Sequence, residues 1–228
     1  MNETPFYIAG DDRPRIFAIY HEPTGSNGRE GFVFCHPFAE EKLWAHRVYV
    51  SFARLLASKG YPVLRFDSAG YGDSAGEFRD SDVEMYLDDI GLAVGELKRR
   101  ANGLEKVSLL GLRLGAMYAA LAAERHTDIH RLVLWEPVTD GDRYMQEVLR
   151  SCLTTQLSVY GKITKNRREL VDELNDGKPI NVDGYELGKS MFEQISALKI
   201  GSDEARRKGQ VLIVQIGKDG QKVRKEYV

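Results

Sequence analysis

The chain has 228 residues, a length that suits one α/β domain with room for an insertion. Hydrophobic residues make up 43% and charged residues 29%, as in ordinary globular proteins, and the formal net charge is −2. This overall balance gives no electrostatic case for binding nucleic acid or an anionic membrane. No apolar run reaches the ~20 residues that span a bilayer, and the amino terminus does not read as a signal peptide. Two cysteines are too few for a disulfide framework, so we expect a cytoplasmic protein.

In chain order, the sequence predicts a hairpin at residues 5–21 and then strands that alternate with helices. The predicted strands cover residues 31–35, 61–66, 106–110, 131–135 and 210–215, and the predicted helices cover 43–58, 81–100 and 113–125. Alternation of this kind indicates a mostly parallel sheet with crossover helices on both faces.

Residues 137–205 interrupt this alternation with mixed helical segments, basic patches such as 165–168, and a second predicted hairpin at 180–187. We interpret this stretch as a cap-like insertion over the strand ends. The predicted organisation is therefore a first core part (1–136), the insertion (137–205), and the last core strand with the carboxyl terminus (206–228).

An arginine stands at the position of this chain where a nucleophile is expected. Gly111-x-Arg113-x-Gly115 follows an apolar strand and precedes a helical run. A strand, a G-x-S-x-G turn and a helix form the nucleophile elbow of α/β-hydrolases. Arginine is a permanent cation without a lone pair to attack a carbonyl group. The sequence thus indicates a hydrolase scaffold that lacks its usual nucleophile.

The junction after the strand at 31–35 reads HPFAEE over residues 36–41. In α/β-hydrolases this turn supplies one N–H of the oxyanion hole, and Phe38 is the candidate because Pro37 has no N–H. The second candidate is the N–H of Leu114, just after the elbow centre. We favour a structural role for His36, with its ring bonded to backbone, over general-base catalysis, since the base should come from a later loop.

The junction after the strand at 61–66 resembles the D-x-x-G-x-G-x-S-x-G stretch of many α/β-hydrolases and covers residues 67–76. Its glycines permit a tight turn that brings backbone close to the site. The phosphate-loop alternative lacks its lysine. Ser74 reads as structural, although Ser68 and Ser74 are the two candidates for a displaced nucleophile.

Two hypotheses account for Arg113 at the elbow. A cation in the first turn of a helix opposes the helix dipole unless a negative group compensates it. The candidates at neighbouring strand ends are Glu40 or Glu41, and Glu136. We favour an internal salt bridge that plugs the old active site. The alternative is an anionic ligand held in a bidentate pair, within a binding set of His36, Glu40, Arg113 and Glu136.

The remaining triad members are incomplete in the sequence. Asp219, after the last predicted strand, is either the catalytic acid or an ordinary turn residue. No histidine follows His130, so we expect the strand and loop that usually carry the catalytic histidine to be missing. His126 and His130 are four residues apart but have no evident third ligand, so we predict neither a metal site nor a cofactor.

Taken together, residues 36–41, 70–76 and 111–116 resemble the α/β-hydrolase superfamily, near its serine aminopeptidase-like branch. The arginine elbow, together with residues 181–185, resembles the hydrolase-like proteins associated with the exosortase A system. The resemblance covers most of residues 5–216 and implies a three-layer α/β-hydrolase fold with a cap.

Three functional hypotheses follow from the sequence. The first is a degenerate hydrolase that binds a small, anionic molecule or a partner without turning it over. The second is an active ester, thioester or amide hydrolase with a displaced nucleophile. The third is a scaffold that forms a homodimer through an exposed sheet edge at the strand 210–215.

Overall fold

The computed structural model describes residues 2–10, 13–25, 29–201, 209–217 and 222–227. The strands are β1 (Glu3–Gly10), β2 (Arg13–His21), β3 (Glu30–Cys35), β4 (Val63–Phe66), β5 (Lys106–Leu112), β6 (Ile129–Trp135), β7 (Ile180–Val182), β8 (Tyr185–Leu187) and β9 (Gln210–Val214). The helices are α1 (Glu40–Ser58), α2 (Val83–Arg100), α3 (Leu114–Arg125), α4 (Gly141–Tyr160), α5 (Arg167–Asn175) and α6 (Lys189–Ala197).

Seven strands form one twisted sheet in the order β1-β2-β4-β3-β5-β6-β9. Strands β1 and β2 are antiparallel to their neighbours, and the pairs from β4 through β9 are parallel. The parallel part places the carboxyl ends of β3, β5 and β6 side by side, which is where open α/β sheets place their sites. The predicted mostly parallel α/β fold is confirmed.

Helices cover both faces of this sheet, because the strand side chains alternate between two apolar clusters. Val33 and Leu109 belong to the larger cluster, with α2, α3 and the insertion. Phe34 and Leu110, one residue further along each strand, pack with Tyr49 of α1 on the opposite face. A strand buried on both faces reads as a continuous apolar run, as the strand sequences do. The molecule therefore has the three layers that the sequence predicts.

Helices α2, α4 and α5 begin where the local sequence supplies a side-chain cap. Asp82 accepts a hydrogen bond from the N–H of Met85 (2.8 Å), and Asp140 accepts one from Arg143 (3.0 Å), which satisfies N–H groups that a helix start leaves unpaired. Helix α5 begins with a capping box between Asn166 and Glu169.

The insertion leaves and rejoins the core at neighbouring points. The N–H of Gly141 donates to the carbonyl of Leu198 (2.9 Å), and the N–H of Ile200 donates to Thr139 (3.0 Å). Between these points lie α4, α5, the β7–β8 hairpin and α6. Tyr185 of the hairpin contacts Phe78 and Tyr71 of the core, with 5.2 Å between ring centroids in each pair. The insertion thus packs on the carboxyl side of the sheet, while the domain boundaries stay a prediction.

Strand β9 forms one margin of the sheet in the part of the chain that the structure describes. It pairs in parallel with β6, from Arg131 opposite Gln210 to Trp135 opposite Val214. The side chains of Val211, Leu212 and Ile213 are between 38% and 57% exposed. Within the described ranges, no helix is both long and apolar enough to cross a membrane.

Candidate functional site

Each of three adjacent strands is followed, within four residues, by a residue with positive φ that is not glycine. These residues are Ala39 after β3 (φ 46°), Arg113 after β5 (φ 54°) and Glu136 after β6 (φ 43°). Residues other than glycine rarely adopt this region of backbone conformation, and strained residues of this kind are concentrated at functional sites. Helices α1 and α3 begin directly after Ala39 and Arg113, so both junctions are sharp strand–turn–helix elbows.

The two elbow glycines are required by close backbone contact. A Cβ on Gly111 would lie 2.3 Å from the carbonyl oxygen of Gly115, and a Cβ on Gly115 would lie 2.3 Å from that of His36. The first turn of α3 therefore lies directly against the end of β3. This contact brings the helix start, with Leu114, next to the loop that contains Phe38. The spacing of the G-x-R-x-G motif is thus explained by packing as well as by turn geometry.

Arg113 lies between two carboxylates and an aromatic ring. Its Nε is 3.2 Å from Oε1 of Glu41, and its Nη2 is 3.1 Å from Oε2 of Glu147. Its guanidinium carbon lies 5.3 Å from the centre of the Tyr144 ring. Glu41 was one of the acids that the sequence offered, whereas Glu147 was missed. Glu147 comes from α4 in the insertion, and no local pattern links that helix to the elbow.

Burial has the largest effect on the charge state of Glu41, and the ion pair with Arg113 opposes it. Burial raises the pKa of Glu41, while the positive charge and hydrogen bond of Arg113 act in the opposite direction. Oε2 of Glu41 is buried and has no hydrogen-bond partner among the described residues. Arg113 therefore stabilises a carboxylate that burial alone would push towards its neutral form.

The other two predicted acids do not pair with Arg113. Glu136 is buried, accepts a hydrogen bond from the N–H of Ile216, and forms an ion pair of 2.7 Å with Arg224. It therefore holds the segment that follows β9. Glu40 is the first residue of α1, and the ion pairs of Arg113 go to Glu41 and Glu147 instead.

The ring of His36 stacks on Tyr49, with 4.7 Å between centroids. Its Nδ1 atom is buried without a hydrogen-bond partner among the described residues, so the expected bond from this nitrogen to backbone is not formed. Burial lowers the pKa of His36 well below its usual value, and the charge of Lys42 adds to this effect. The imidazole is therefore neutral.

Ser74 is held by two hydrogen bonds within its loop. Its hydroxyl donates to the carbonyl of Asp67 (2.6 Å) and accepts from the N–H of Phe17 (2.8 Å). Ser68, by contrast, is partly exposed and lines a small cavity together with His36 and Phe38. This cavity has a volume of about 20 Å³, which is room for roughly one water molecule.

Aromatic side chains fill the crevice above this cavity. Phe78 lies 5.4 Å from Phe38, 5.7 Å from Tyr71 and 5.2 Å from Tyr185, measured between ring centroids. Tyr144 of α4 lies 6.4 Å from Phe38 on the other side. The free space that Phe38 lines is therefore limited to this cavity of about 20 Å³.

A buried ion pair fixes the first two loops relative to each other. Nζ of Lys42 in α1 lies 2.5 Å from Oδ1 of Asp67 and 4.4 Å above the Tyr71 ring. The other oxygen of Asp67 accepts from the N–H of Asp73 (3.0 Å), and the Tyr71 hydroxyl donates to Ala39. Sequence reasoning missed Lys42, because a lysine within a helical pattern reads as a surface residue.

An open groove of about 960 Å³ lies on the far side of Arg113, between the strand ends and the start of α4. Four cationic side chains line it: Arg113, Arg143, Lys199 and Arg224. Two acidic side chains, Asp140 and Glu147, share the lining. Glu41 and Glu136, the partners of Arg113 and Arg224, are not part of the lining, so the groove surface carries more positive than negative groups.

Two further sequence predictions concern the catalytic acid and a metal site. Asp219, the candidate acid, lies outside the described residues. Within those residues, no group of three or more histidine, cysteine, aspartate or glutamate side chains could hold a metal ion.

Comparison with curated proteins gives two distant relatives. Human protein ABHD12B is 27% identical over 175 residues, which are 75% of this chain and 45% of that protein. The uncharacterized protein RP471 of Rickettsia prowazekii is 29% identical over 140 residues, which are 60% of this chain and 58% of the relative. The chain thus spans about half the length of the curated relatives it matches.

Solved structures show the same fold at low sequence identity. A complex of ferulic acid with Est1E from Butyrivibrio proteoclasticus superposes with a TM-score of 0.63 at 20% identity, covering 91% of this chain and 77% of that one. Mouse alpha/beta hydrolase domain-containing protein 10 gives 0.60 at 15% identity, covering 93% and 77%. At these identities the likeness establishes the fold.

The family model for serine aminopeptidase, S33, matches residues 28–192, which include all three strand–loop junctions and most of the insertion. The narrower resemblance to exosortase-associated proteins stays a prediction. Since the match covers more than half of the chain, and the fold agrees, the protein belongs to the serine aminopeptidase S33 family of α/β-hydrolases.

Proposed function

We propose that this protein is a catalytically degenerate α/β-hydrolase that binds a small anionic molecule at Arg113. The proposal rests on the guanidinium group of Arg113, which lies beside an open groove at the turn where a serine hydrolase carries its nucleophile. An arginine there cannot form the acyl-enzyme intermediate on which serine hydrolases depend.

Two further features support the loss of elbow chemistry. The cavity that Phe38 lines has a volume of about 20 Å³, which is too small to hold an acyl group. The ion pairs of Arg113 with Glu41 and Glu147 hold its side chain in place without a ligand. These ion pairs support the hypothesis, favoured in the sequence analysis, that an internal salt bridge plugs the old active site.

The groove supplies the argument for an anionic ligand. Glu147, with its side chain 46% exposed, is the more accessible of the two carboxylates that pair with Arg113. An incoming carboxylate or phosphate can replace Glu147 and form a two-point hydrogen-bonded pair with the guanidinium. Displacement of Glu147 would also free Arg143, which lies 3.9 Å from it, whereas Lys199 stays paired with Asp140 at 3.5 Å.

One observation favours the alternative, an active ester, thioester or amide hydrolase with a displaced nucleophile. Ser68 and the neutral His36 line the same cavity, and Nδ1 of His36 is unpaired among the described residues. Ser74 is the weaker of the two candidates, because its hydroxyl proton is already donated to Asp67.

Labelling with a fluorophosphonate probe, followed by peptide mapping, separates the two functions. If the hydrolase is catalytically degenerate, the probe should form no adduct with the folded protein. The Arg113→Ser variant should gain almost no esterase activity, because no general base accompanies the new serine. A stoichiometric adduct on Ser68, lost in Ser68→Ala and kept in Ser74→Ala, would establish the alternative.

Anion binding has its own test. Inorganic phosphate and short dicarboxylates should raise the thermal unfolding midpoint in a concentration-dependent way. Arg113→Lys keeps the charge but loses the planar fork, so it should weaken this binding roughly tenfold. Arg99→Lys on the exposed surface of α2 is the matched control. Equal midpoint shifts in both variants would contradict a site at Arg113.

A further inference from the structure

The insertion exposes a cluster of apolar side chains at the end of α4 that is remote from the groove. Helix α4 ends at Tyr160, and α5 begins at Arg167. Between residues 157 and 163, four large apolar side chains are each 53–66% exposed: Leu157, Val159, Tyr160 and Ile163. Single exposed apolar residues are common, but four within seven positions are a mark of an interaction site. Residues 157–168 are called the cap tip below.

The cap tip is also strongly basic. Residues 148–168 contain no aspartate or glutamate and five basic residues, four of which lie in the cap tip: Lys162, Lys165, Arg167 and Arg168. Lys165 pairs with Glu173 at 2.6 Å, and Arg168 approaches Asp172 at 3.9 Å. Lys162 and Arg167 have no ion-pair partner among the described residues. Acidic residues resume at Glu169, so the excess of positive charge is confined to the cap tip itself.

The backbone of the cap tip is held in one conformation. The side-chain oxygen of Gln156 accepts hydrogen bonds from the N–H groups of Thr164 and Lys165, each at 2.8 Å. Its amide nitrogen donates to the carbonyl of Lys165 (3.1 Å). Gly161 ends α4 in the left-handed conformation, and Asn166 caps α5. A surface that is already ordered loses little conformational entropy when it binds.

We propose that the cap tip docks on an anionic lipid bilayer. In this arrangement the four apolar side chains enter the interfacial region, and the basic side chains contact phosphate-bearing headgroups. Three of the four apolar side chains are aliphatic, and these gain from burial among acyl chains but offer no stacking surface to nucleic acid bases. The mixture of apolar and basic groups therefore fits a membrane surface better than it fits a nucleic acid.

Docking at the cap tip is separate from the function proposed at Arg113. Helix α4 starts at the groove and has 20 residues, so its far end lies about 30 Å away. A protein held by the cap tip keeps its groove free for a ligand. The inference therefore stands on its own observations and survives if the groove binds nothing.

Sedimentation with lipid vesicles tests the inference on the unmodified protein. We expect binding to vesicles of phosphatidylcholine with 30% phosphatidylserine, little binding to pure phosphatidylcholine, and weakening as salt rises. Absence of binding to the anionic vesicles at low salt would overturn the proposal. Equal binding to both vesicle types would overturn the role of the basic residues.

Paired variants then locate the contact. Lys162→Gln with Arg167→Gln should weaken binding to anionic vesicles roughly 30-fold, at about fivefold per charge. Lys178→Gln with Lys189→Gln makes the same change of net charge elsewhere on the insertion and should leave binding unchanged. An equal loss in both double variants would point to overall charge and overturn docking at the cap tip.

The apolar contribution has a matched control as well. Leu157→Ser with Ile163→Ser should reduce vesicle binding at least tenfold. Leu43→Ser with Val48→Ser removes similarly exposed side chains from α1 and should leave vesicle binding intact. A different result would be that the variant with Leu157→Ser and Ile163→Ser binds vesicles like the unmodified protein, while single-stranded RNA binds the protein tightly and competes with the vesicles. The basic surface would then be a nucleic-acid site and the proposal would be wrong.

Discussion

Backbone strain and glycine packing at the carboxyl edge of the sheet persist although the nucleophile is gone. Arg113 keeps a positive φ of 54°, and the glycines on either side of it leave no room for a Cβ. This strain needs packing that holds it in place, and the contact between Gly115 and the carbonyl of His36 supplies part of that packing. The elbow therefore has a packing role that does not depend on a nucleophile.

Substitution of Gly115 tests this view. A Cβ at this position would meet the carbonyl oxygens of His36 and Cys35 at 2.3 and 2.5 Å, so Gly115→Ala should destabilise the protein by about 3 kcal/mol or more. Gly95→Ala is the control, because its Cβ meets nothing within 4 Å in the middle of α2 and should stabilise by ~0.5–1 kcal/mol. Urea unfolding measures both. A Gly115→Ala protein as stable as the parent would contradict the close contact.

Asp89 predicts a dependence of stability on pH. Its carboxylate, buried under the loop at 67–76, accepts from the N–H of Ala69 (2.8 Å), and burial raises its pKa to about 6. The folded state therefore holds this proton more tightly than the unfolded state, where the pKa is near 3.8. The contribution of Asp89 to stability is greatest below about pH 4 and is lost as pH rises towards 6.

Asp89→Asn keeps an oxygen for the Ala69 N–H but removes the buried charge. We expect this variant to gain about 1–3 kcal/mol of unfolding free energy at pH 7.5 and little at pH 4. Asp88→Asn, on the exposed neighbour of Asp89, should show no such difference. Urea unfolding at the two pH values decides the matter. A loss of stability at pH 7.5 would mean that the attraction of Arg13 outweighs the cost of burial.

At the scale of elements, hydrophobic periodicity predicted the bounds of a strand or helix well wherever the residues of that element determine its secondary structure. Strands β3, β4, β5, β6 and β9 fall within two residues of the predicted ranges, since each is a mostly apolar run, although most side chains of β9 are exposed. Helix α1 begins at Glu40 instead of residue 43. Its start depends on the turn at Ala39, whose hydrogen bond from Tyr71 comes from a distant loop.

The structure of the insertion was predicted only in part from the sequence. Its hairpin at 180–187 was predicted, but the placement of α4 beside Arg113 was not. Glu147 and Lys42 reach the site only because separate elements come together in the fold, and neither has a local signature. The loop at 67–76 was recognisable because its glycines are needed by its own turn, with Asp67 only 2.1 Å from a Cβ on Gly72.

At the scale of the whole molecule, one edge of the sheet carries an uncovered apolar surface separate from the cap tip. On the described residues, β9 bonds to β6 and to no further strand, and its side chains are exposed. On the neighbouring face, Trp44 and Val48 of α1 are 75% and 55% exposed. An open edge with apolar side chains offers unpaired N–H and C=O groups to another strand.

We therefore expect two copies of the chain to pair through β9. A two-fold axis would set the two β9 strands antiparallel and join the two sheets into one. Sedimentation velocity over a wide concentration range should show a reversible dimer. Leu212→Lys places a charge in the middle of this strand and should make the protein monomeric, whereas Val223→Lys, equally exposed but outside the strand, should not. A monomer at every concentration, or a dimer that Leu212→Lys leaves intact, would show that the edge is not the point of association.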